Sequence, residues 1–118
     1  MLESLKEKVD PKHSALLVVD VQNYFCHPDG FIARQGRNLS AKHQMMPKLV
    51  RLLSEARTKK LTIIFIRQIR SDWTMSPVGR EQRQRMFPGI SEDALQEGSW
   101  AVTMIALLIQ GHALEIQE

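Results

Sequence analysis

One hundred and eighteen residues, 43% hydrophobic and 25% charged, describe one soluble globular domain, because single domains cluster at roughly 100 to 150 residues. No run reaches the roughly 18 apolar residues of a membrane span, and neither a collagen-like composition nor a heptad repeat is present. The formal net charge of +3 hides an asymmetry: residues 34–85 hold thirteen Lys or Arg against three acids, and residues 86–118 hold no Lys or Arg against five acids.

The one cysteine, Cys26, excludes an intramolecular disulfide and a multi-cysteine zinc site. The charged start from Met1 to Lys12 lacks the apolar stretch of a signal peptide, so a cytoplasmic location is expected. The basic middle suits either a solvated surface or an anionic ligand. Few aromatic residues stand among the basic ones, so no platform for stacking bases is visible and no nucleic-acid partner is expected.

In chain order, the first element is Ala15 to Val19, a short apolar run rich in branched residues that ends in Asp20. Such a run predicts a strand buried on both faces. His27-Pro28-Asp29-Gly30 supplies turn chemistry, and the stretch through Arg37 reads as loop. Pro47 fits the first turn of a helix, and Leu49, Leu52, Leu53 and Ala56 follow at the spacing of one buried stripe. Lys59 and Lys60 suit the negative C-terminal end of that helix. Leu61 to Ile66 is a second doubly buried strand. Strand, helix, strand predicts a parallel α/β sheet with helices on its faces. From Gln68 to Gly98 the chain reads as polar loop with a short helical turn around Ser91 to Gln96. Ala101 to Ile109 is an apolar run that periodicity assigns to neither helix nor strand.

In open parallel sheets the ligand crevice lies beyond the carboxyl ends of the strands. Asp20 stands at such an end and is the candidate catalytic residue, although an acid there serves equally as a turn or capping residue.

The string Leu16-Leu17-Val18-Val19-Asp20-Val21-Gln22-Asn23-Tyr24-Phe25 resembles the opening of the isochorismatase-like cysteine hydrolases, in which an apolar strand delivers a D-x-Q-N-x-F motif. The likeness continues through the helix around Pro47, the strand Thr62 to Arg67, Trp73, Ser76-Pro77 and Glu97-Gly98-Ser99-Trp100, covering residues 13–100. It implies a three-layer, Rossmann-like parallel sheet and hydrolysis of a small amide or ureido C–N bond by an Asp-Lys-Cys triad. Asp20 matches the triad aspartate, which takes the proton of the cysteine thiol. Gln22 would orient that site, Phe25 would line the pocket, and Trp73, Arg70 and Tyr24 are further candidate lining residues.

The triad lysine and cysteine lie further on in such hydrolases, and neither of their motifs occurs here. Cys26, in the loop after the first strand, matches no catalytic position. The expectation is therefore a single, truncated domain over 1–118 with an unmatched tail from Ala101, inactive alone, whose continuation is encoded in another reading frame after Trp100. The alternative is a non-catalytic module that pairs with a second copy or another partner through bare strand edges. Some relatives hold zinc through a D-x-H string, but Asp72-Trp73-Thr74 stands at that place and the four histidines are scattered. No metal and no cofactor are expected.

Overall fold

The computed structural model describes residues 1, 3–71, 73–89, 95–105 and 114–117. Three strands, β1 (Ala15–Val19), β2 (Thr62–Arg67) and β3 (Leu114–Gln117), form one parallel sheet in the order β1-β2-β3. Ala15 stands opposite Thr62 and Val19 opposite Ile66, while Ile64 pairs with Leu114 and Arg67 with Gln117. The result is the parallel α/β sheet that the resemblance implies, here of three described strands, with the last contributed by the tail beyond Trp100.

The helices are α1 (Leu5–Lys8), α2 (Asn23–Cys26), α3 (Phe31–Arg34), α4 (Ser40–Thr58) and α5 (Pro77–Met86), with a 3-10 turn at Trp100–Val102. Four of them correct the sequence reading. The segment through Arg37 contains α2 and α3 rather than loop alone. The stretch after Gln68 contains the ten-residue α5, whose start is fixed by Pro77 at the first turn and by the Ser76 hydroxyl accepting from the Gly79 N–H at 3.1 Å. α5 buries no residue, so it shows none of the apolar periodicity by which helices are recognised. α4 begins at Ser40, about two turns before Pro47, which lies inside it. The Asn38 side chain accepts from the Ser40 N–H at 2.8 Å and sets that earlier start. The expected turn around Ser91 lies outside the described residues.

The principal core is made where α4 packs on the sheet: Val18, Ile63, Phe65, Leu53 and Ala56 are buried there, with Leu16, Met46, Leu49 and Val50 packed against them. Burial of side chains as large as Phe65 and Leu53 stabilises by about 1.5–3 kcal/mol each. Leu52 does not join the stripe; it is 51% exposed, and Val50 takes the place expected for it. The strands are not buried on both faces either. Leu16, Val18, Ile63 and Phe65 share the face toward α4, whereas Leu17 and Val19 on the other face are 54% and 49% exposed. A second cluster of Tyr24, Ile69, Leu95 and Val102 lies beyond the strand ends, and Phe25 packs against both clusters.

α4 ends with Lys60 in the left-handed region at φ 58°. The Lys60 N–H bonds the Arg57 carbonyl at 3.0 Å and the Leu61 N–H bonds the Ala56 carbonyl at 2.9 Å, the paired bonds of a Schellman turn. That turn sends the chain straight into β2. A lysine there bears a steric cost that glycine lacks, so Lys60→Gly is expected to stabilise the fold by roughly 0.5–1 kcal/mol. Urea denaturation followed by circular dichroism checks this; an unchanged or lowered midpoint would contradict it.

Candidate functional site

β1 ends by turning sharply. Asp20 adopts φ 58°, a conformation rare for a residue with a side chain and often found at functional positions. Its N–H still bonds to β2, at the Ile66 carbonyl, 2.9 Å away. The carboxylate Oδ1 is buried and has no hydrogen-bond partner among the described residues. The turn thus encloses one oxygen of the carboxylate while the residue as a whole stays partly exposed.

Two residues on, Gln22 is fully buried. Its Nε2 donates to the Gln68 carbonyl at 2.9 Å and to the Val102 carbonyl at 2.8 Å, and its Oε1 accepts from the Gln68 N–H at 2.9 Å. The end of β1, the end of β2 and the last residue of the 3-10 turn are thereby joined by one side chain. Asn23 repeats the link: its backbone N–H bonds the Thr103 carbonyl at 2.9 Å and its side chain the Trp100 carbonyl at 3.0 Å. The Ile105 N–H in turn bonds the Val21 carbonyl at 3.0 Å. The pattern that seemed to stop at Trp100 therefore continues structurally to Ile105.

A cleft of about 480 Å³ opens beside this junction, lined by Asn23, Cys26, His27, His43, Trp100 and Met104 among others. The His27 and Trp100 rings meet edge to face at 4.9 Å, and His43 Nε2 lies 3.2 Å from the Cys26 carbonyl oxygen. Gly30 closes the turn between α2 and α3, where a Cβ would stand 2.1 Å from the Asn23 carbonyl oxygen. No side chain fits there.

Of the sequence-derived candidates, Asp20 and Gln22 stand together at the mouth of the sheet. Phe25 is half-buried between the two core clusters, and Lys42 Nζ lies 5.9 Å from its ring centroid while bonding its carbonyl at 3.0 Å. Trp73 is 83% exposed and is not among the residues lining the 480 Å³ cleft; nor are Asp20, Gln22 and Phe25. The sequence reading missed Asn23, His43 and Trp100. Asn23 was legible within the same motif, whereas His43 reaches the cleft only because α4 starts before Pro47.

Cys26 is buried in the principal core. Burial pushes its thiol above the ordinary range, Lys42 pulls it back, and the Asp20 charge raises it further. The thiol therefore stays protonated at neutral pH, unlike the thiolate a nucleophile needs. Among the described residues no group of three or more His, Cys, Asp or Glu side chains is placed to hold a metal ion; Asp72 lies outside them. No described helix is long and apolar enough to cross a membrane.

The apolar parallel strand that leads into Asp20, with Gln22 and Asn23 behind it, falls within the stretch matched by the isochorismatase domain. The sequence profile of that domain matches residues 14–104, and the chain belongs to the family. Among curated proteins it is similar to the ureidoacrylate amidohydrolase RutB of Caulobacter vibrioides, 25% identical over 109 aligned residues that cover 82% of this chain and 48% of the relative. The ureidoacrylate amidohydrolase RutB of Methylobacterium radiotolerans is 24% identical over 110, covering 85% of this chain and 43% of the relative. The chain spans about half the length of these relatives or slightly less.

Replacing Gln22 by methionine keeps its volume but leaves the Gln68 N–H and two carbonyls without their partner. Gln22→Met is expected to cost roughly 3 kcal/mol or more, read as a lowered urea midpoint. A loss below about 1 kcal/mol, the range of an ordinary substitution, would show that these bonds do not hold the junction.

Proposed function

We propose that this chain carries the aspartate portion of an isochorismatase-type cysteine hydrolase acting on a small amide or ureido C–N bond, with Asp20 as the proton acceptor. The observation that carries the reading is the Asp20 carboxylate, fixed at the end of β1 in a strained turn with a buried oxygen that has no partner among the described residues. Such an oxygen is suited to take the proton of a thiol, leaving a thiolate to attack the substrate carbonyl. Gln22 acts by position, holding the strand end that presents Asp20, while Phe25 and Trp73 line the substrate's approach. The amide or ureido class follows from the named activity of the relatives.

The chain alone is inactive on this reading. Residues 86–118 contain no lysine, and Cys26 is a buried thiol rather than a thiolate. A small-molecule substrate, a cytoplasmic location and a single domain over 1–118, completed in the working enzyme by the portion the relatives have in addition, belong to the same proposal. The test is to assay the purified chain on 3-ureidoacrylate and simple amides, alone and co-expressed with the unmatched portion of the Caulobacter relative. No turnover alone, and turnover on co-expression that Asp20→Asn lowers by at least about a hundredfold, is the expected result. Turnover by the chain alone would refute the inactivity, and restored turnover indifferent to Asp20→Asn would refute the role of Asp20.

A second reading, a non-catalytic module that self-associates or binds a partner, is favoured by one observation. β1 is an edge of the sheet, and its Leu17 and Val19 side chains are half exposed on a face that no described helix covers. Bare edges and apolar faces of that kind promote association. Light scattering decides it: a dimer that Leu17→Lys dissociates supports the module, and a monodisperse monomer at all concentrations refutes self-association.

A further inference from the structure

The cleft beside the Gln22 junction has no task in the hydrolytic reading, since none of Asp20, Gln22, Phe25 and Trp73 is among its lining residues. Its volume of about 480 Å³ lies within the usual range of small-molecule pockets, roughly 300–1,000 Å³. Among its described lining residues there is no Lys, Arg, Asp or Glu, in a chain where those types make up 25%. The walls carry three sulfur atoms, from Met46, Met104 and Cys26, and the rings of His27 and Trp100, which meet at 80° with centroids 4.9 Å apart. Burial keeps the Cys26 thiol protonated, so it too is uncharged. A charged ligand would give up its hydration here and find no counter-charge, whereas a neutral ring gains contact with aromatic edges and with soft, polarizable sulfur.

The polar groups of the lining supply an acceptor and a donor. Asn23 is 6% exposed, and its backbone is fully engaged: its N–H bonds the Thr103 carbonyl at 2.9 Å and its carbonyl accepts from the His27 N–H at 3.2 Å. Its side-chain nitrogen donates to the Trp100 carbonyl at 3.0 Å. A carbonyl only accepts, so that bond fixes which end of the amide is nitrogen. Oδ1 is left with no hydrogen bond among the described residues. His27 has the complementary polarity. Its Nδ1 accepts from the Asp29 N–H at 3.0 Å, which places the ring proton on Nε2. The Asp29 carboxylate, 3.9 Å from Nδ1, therefore meets an acceptor rather than an N–H, and Asp29 is not a lining residue. An amide is the neutral group that presents both an N–H for Asn23 Oδ1 and a carbonyl for His27 Nε2.

We propose that this cleft is a binding site for a small neutral aromatic amide. The ring packs against Trp100 and the methionine sulfurs, the amide N–H donates to Asn23 Oδ1, and the amide carbonyl accepts from His27 Nε2. The site is separate from Asp20, and its occupancy does not depend on the proposed hydrolysis.

Four probes separate these contributions in the unmodified chain: benzamide; acetophenone, in which a methyl group replaces the amide nitrogen; benzoate, the charged counterpart; and propionamide, which keeps the amide without the ring. Binding is followed by two-dimensional NMR of the isotope-labelled chain. It is followed also by the fluorescence of Trp100 in a Trp73→Phe chain, where Trp100 is the only tryptophan.

Benzamide is expected to bind at millimolar concentration or tighter, with shifts centred on Asn23, His27 and the stretch from Thr103 to Ile105, and with a change in Trp100 emission. Acetophenone should bind about fivefold more weakly, the loss of one neutral hydrogen bond, and benzoate about tenfold or more, the desolvation of an unpaired charge. Propionamide should show no binding at the same concentrations. Trp100→Leu keeps the backbone carbonyl that Asn23 uses and should weaken benzamide about three- to tenfold with an unchanged circular dichroism spectrum. The probe series needs no variant, so it decides the matter even where Trp100→Leu fails to fold. Any of the three other probes binding as tightly as benzamide, shifts centred away from the cleft, benzamide affinity unchanged in a folded Trp100→Leu chain, or no benzamide bound at millimolar concentration would overturn the site. Every readout is of binding, so a failed hydrolysis assay and an empty cleft remain distinct results.

Discussion

The three hydrogen bonds of the Gln22 side chain hold together segments that sequence alone sets far apart: Gln68 lies 46 positions on and Val102 lies 80. Parallel strands need long connections, and nothing in a strand specifies where its connection returns. A buried amide does, because every one of its polar atoms must find a partner in the dry interior. Nε2 donates twice and Oε1 accepts once, so the ends of β1 and β2 and the backbone at Val102 can take up only one mutual arrangement. The Asn23 bonds to Trp100 and Thr103 lie directly behind and repeat the constraint one residue further.

Asp20 inherits its position from that junction. On its upstream side, one residue past the end of β1, its N–H still reaches the sheet at the Ile66 carbonyl; downstream, Val21 is pinned by Ile105 and Gln22 by its three bonds. Held from both sides, the intervening residue takes up the left-handed conformation, and its carboxylate is aimed by backbone that cannot relax. Strain at one residue is sustained because the surrounding bonds outweigh it, which is how reactive geometries are kept in folded proteins. The burial of Cys26 has the opposite sense. It sits in the core under α4, where loss of solvent favours the neutral thiol.

The parts of the fold written in local pattern were legible, and the parts written in long-range contacts were not. β1 was read with its observed limits, and β2 within one residue, because runs such as Ala15 to Val19 have few other uses in a short chain. Asp20, Gln22 and Phe25 could be singled out through a motif, yet the motif says nothing of what Gln22 bonds to. Helix starts were misplaced where local hydrogen bonds rather than a stripe mark them: α4 begins well before Pro47, at Ser40, whose N–H bonds the Asn38 side chain, and Ser76 caps an exposed α5 that has no apolar face to announce it. Leu52 and Val50 exchanged places because three residues per turn and four per turn both describe a stripe until the sheet's position selects one.

The sheet's two faces account for the charge pattern as well. α4 covers the face of Val18 and Phe65 with its Met46, Leu49, Leu53 and Ala56, which leaves the rest of that helix free to carry Lys48, Arg51 and Arg57 outward or to its flank. α5 buries nothing and so can be almost wholly polar, and it supplies three more arginines at Arg80, Arg83 and Arg85. The basic middle of the chain is thus mainly the solvated side of two helices, the ordinary reading of a charge run. Arg83 departs from that rule. Its Nη1 is enclosed and has no hydrogen-bond partner among the described residues, although the residue as a whole is half-buried, and enclosing part of a guanidinium carries a desolvation cost that a side chain in full solvent does not. The same asymmetry that looked like surface decoration therefore contains one cation that packing partly encloses.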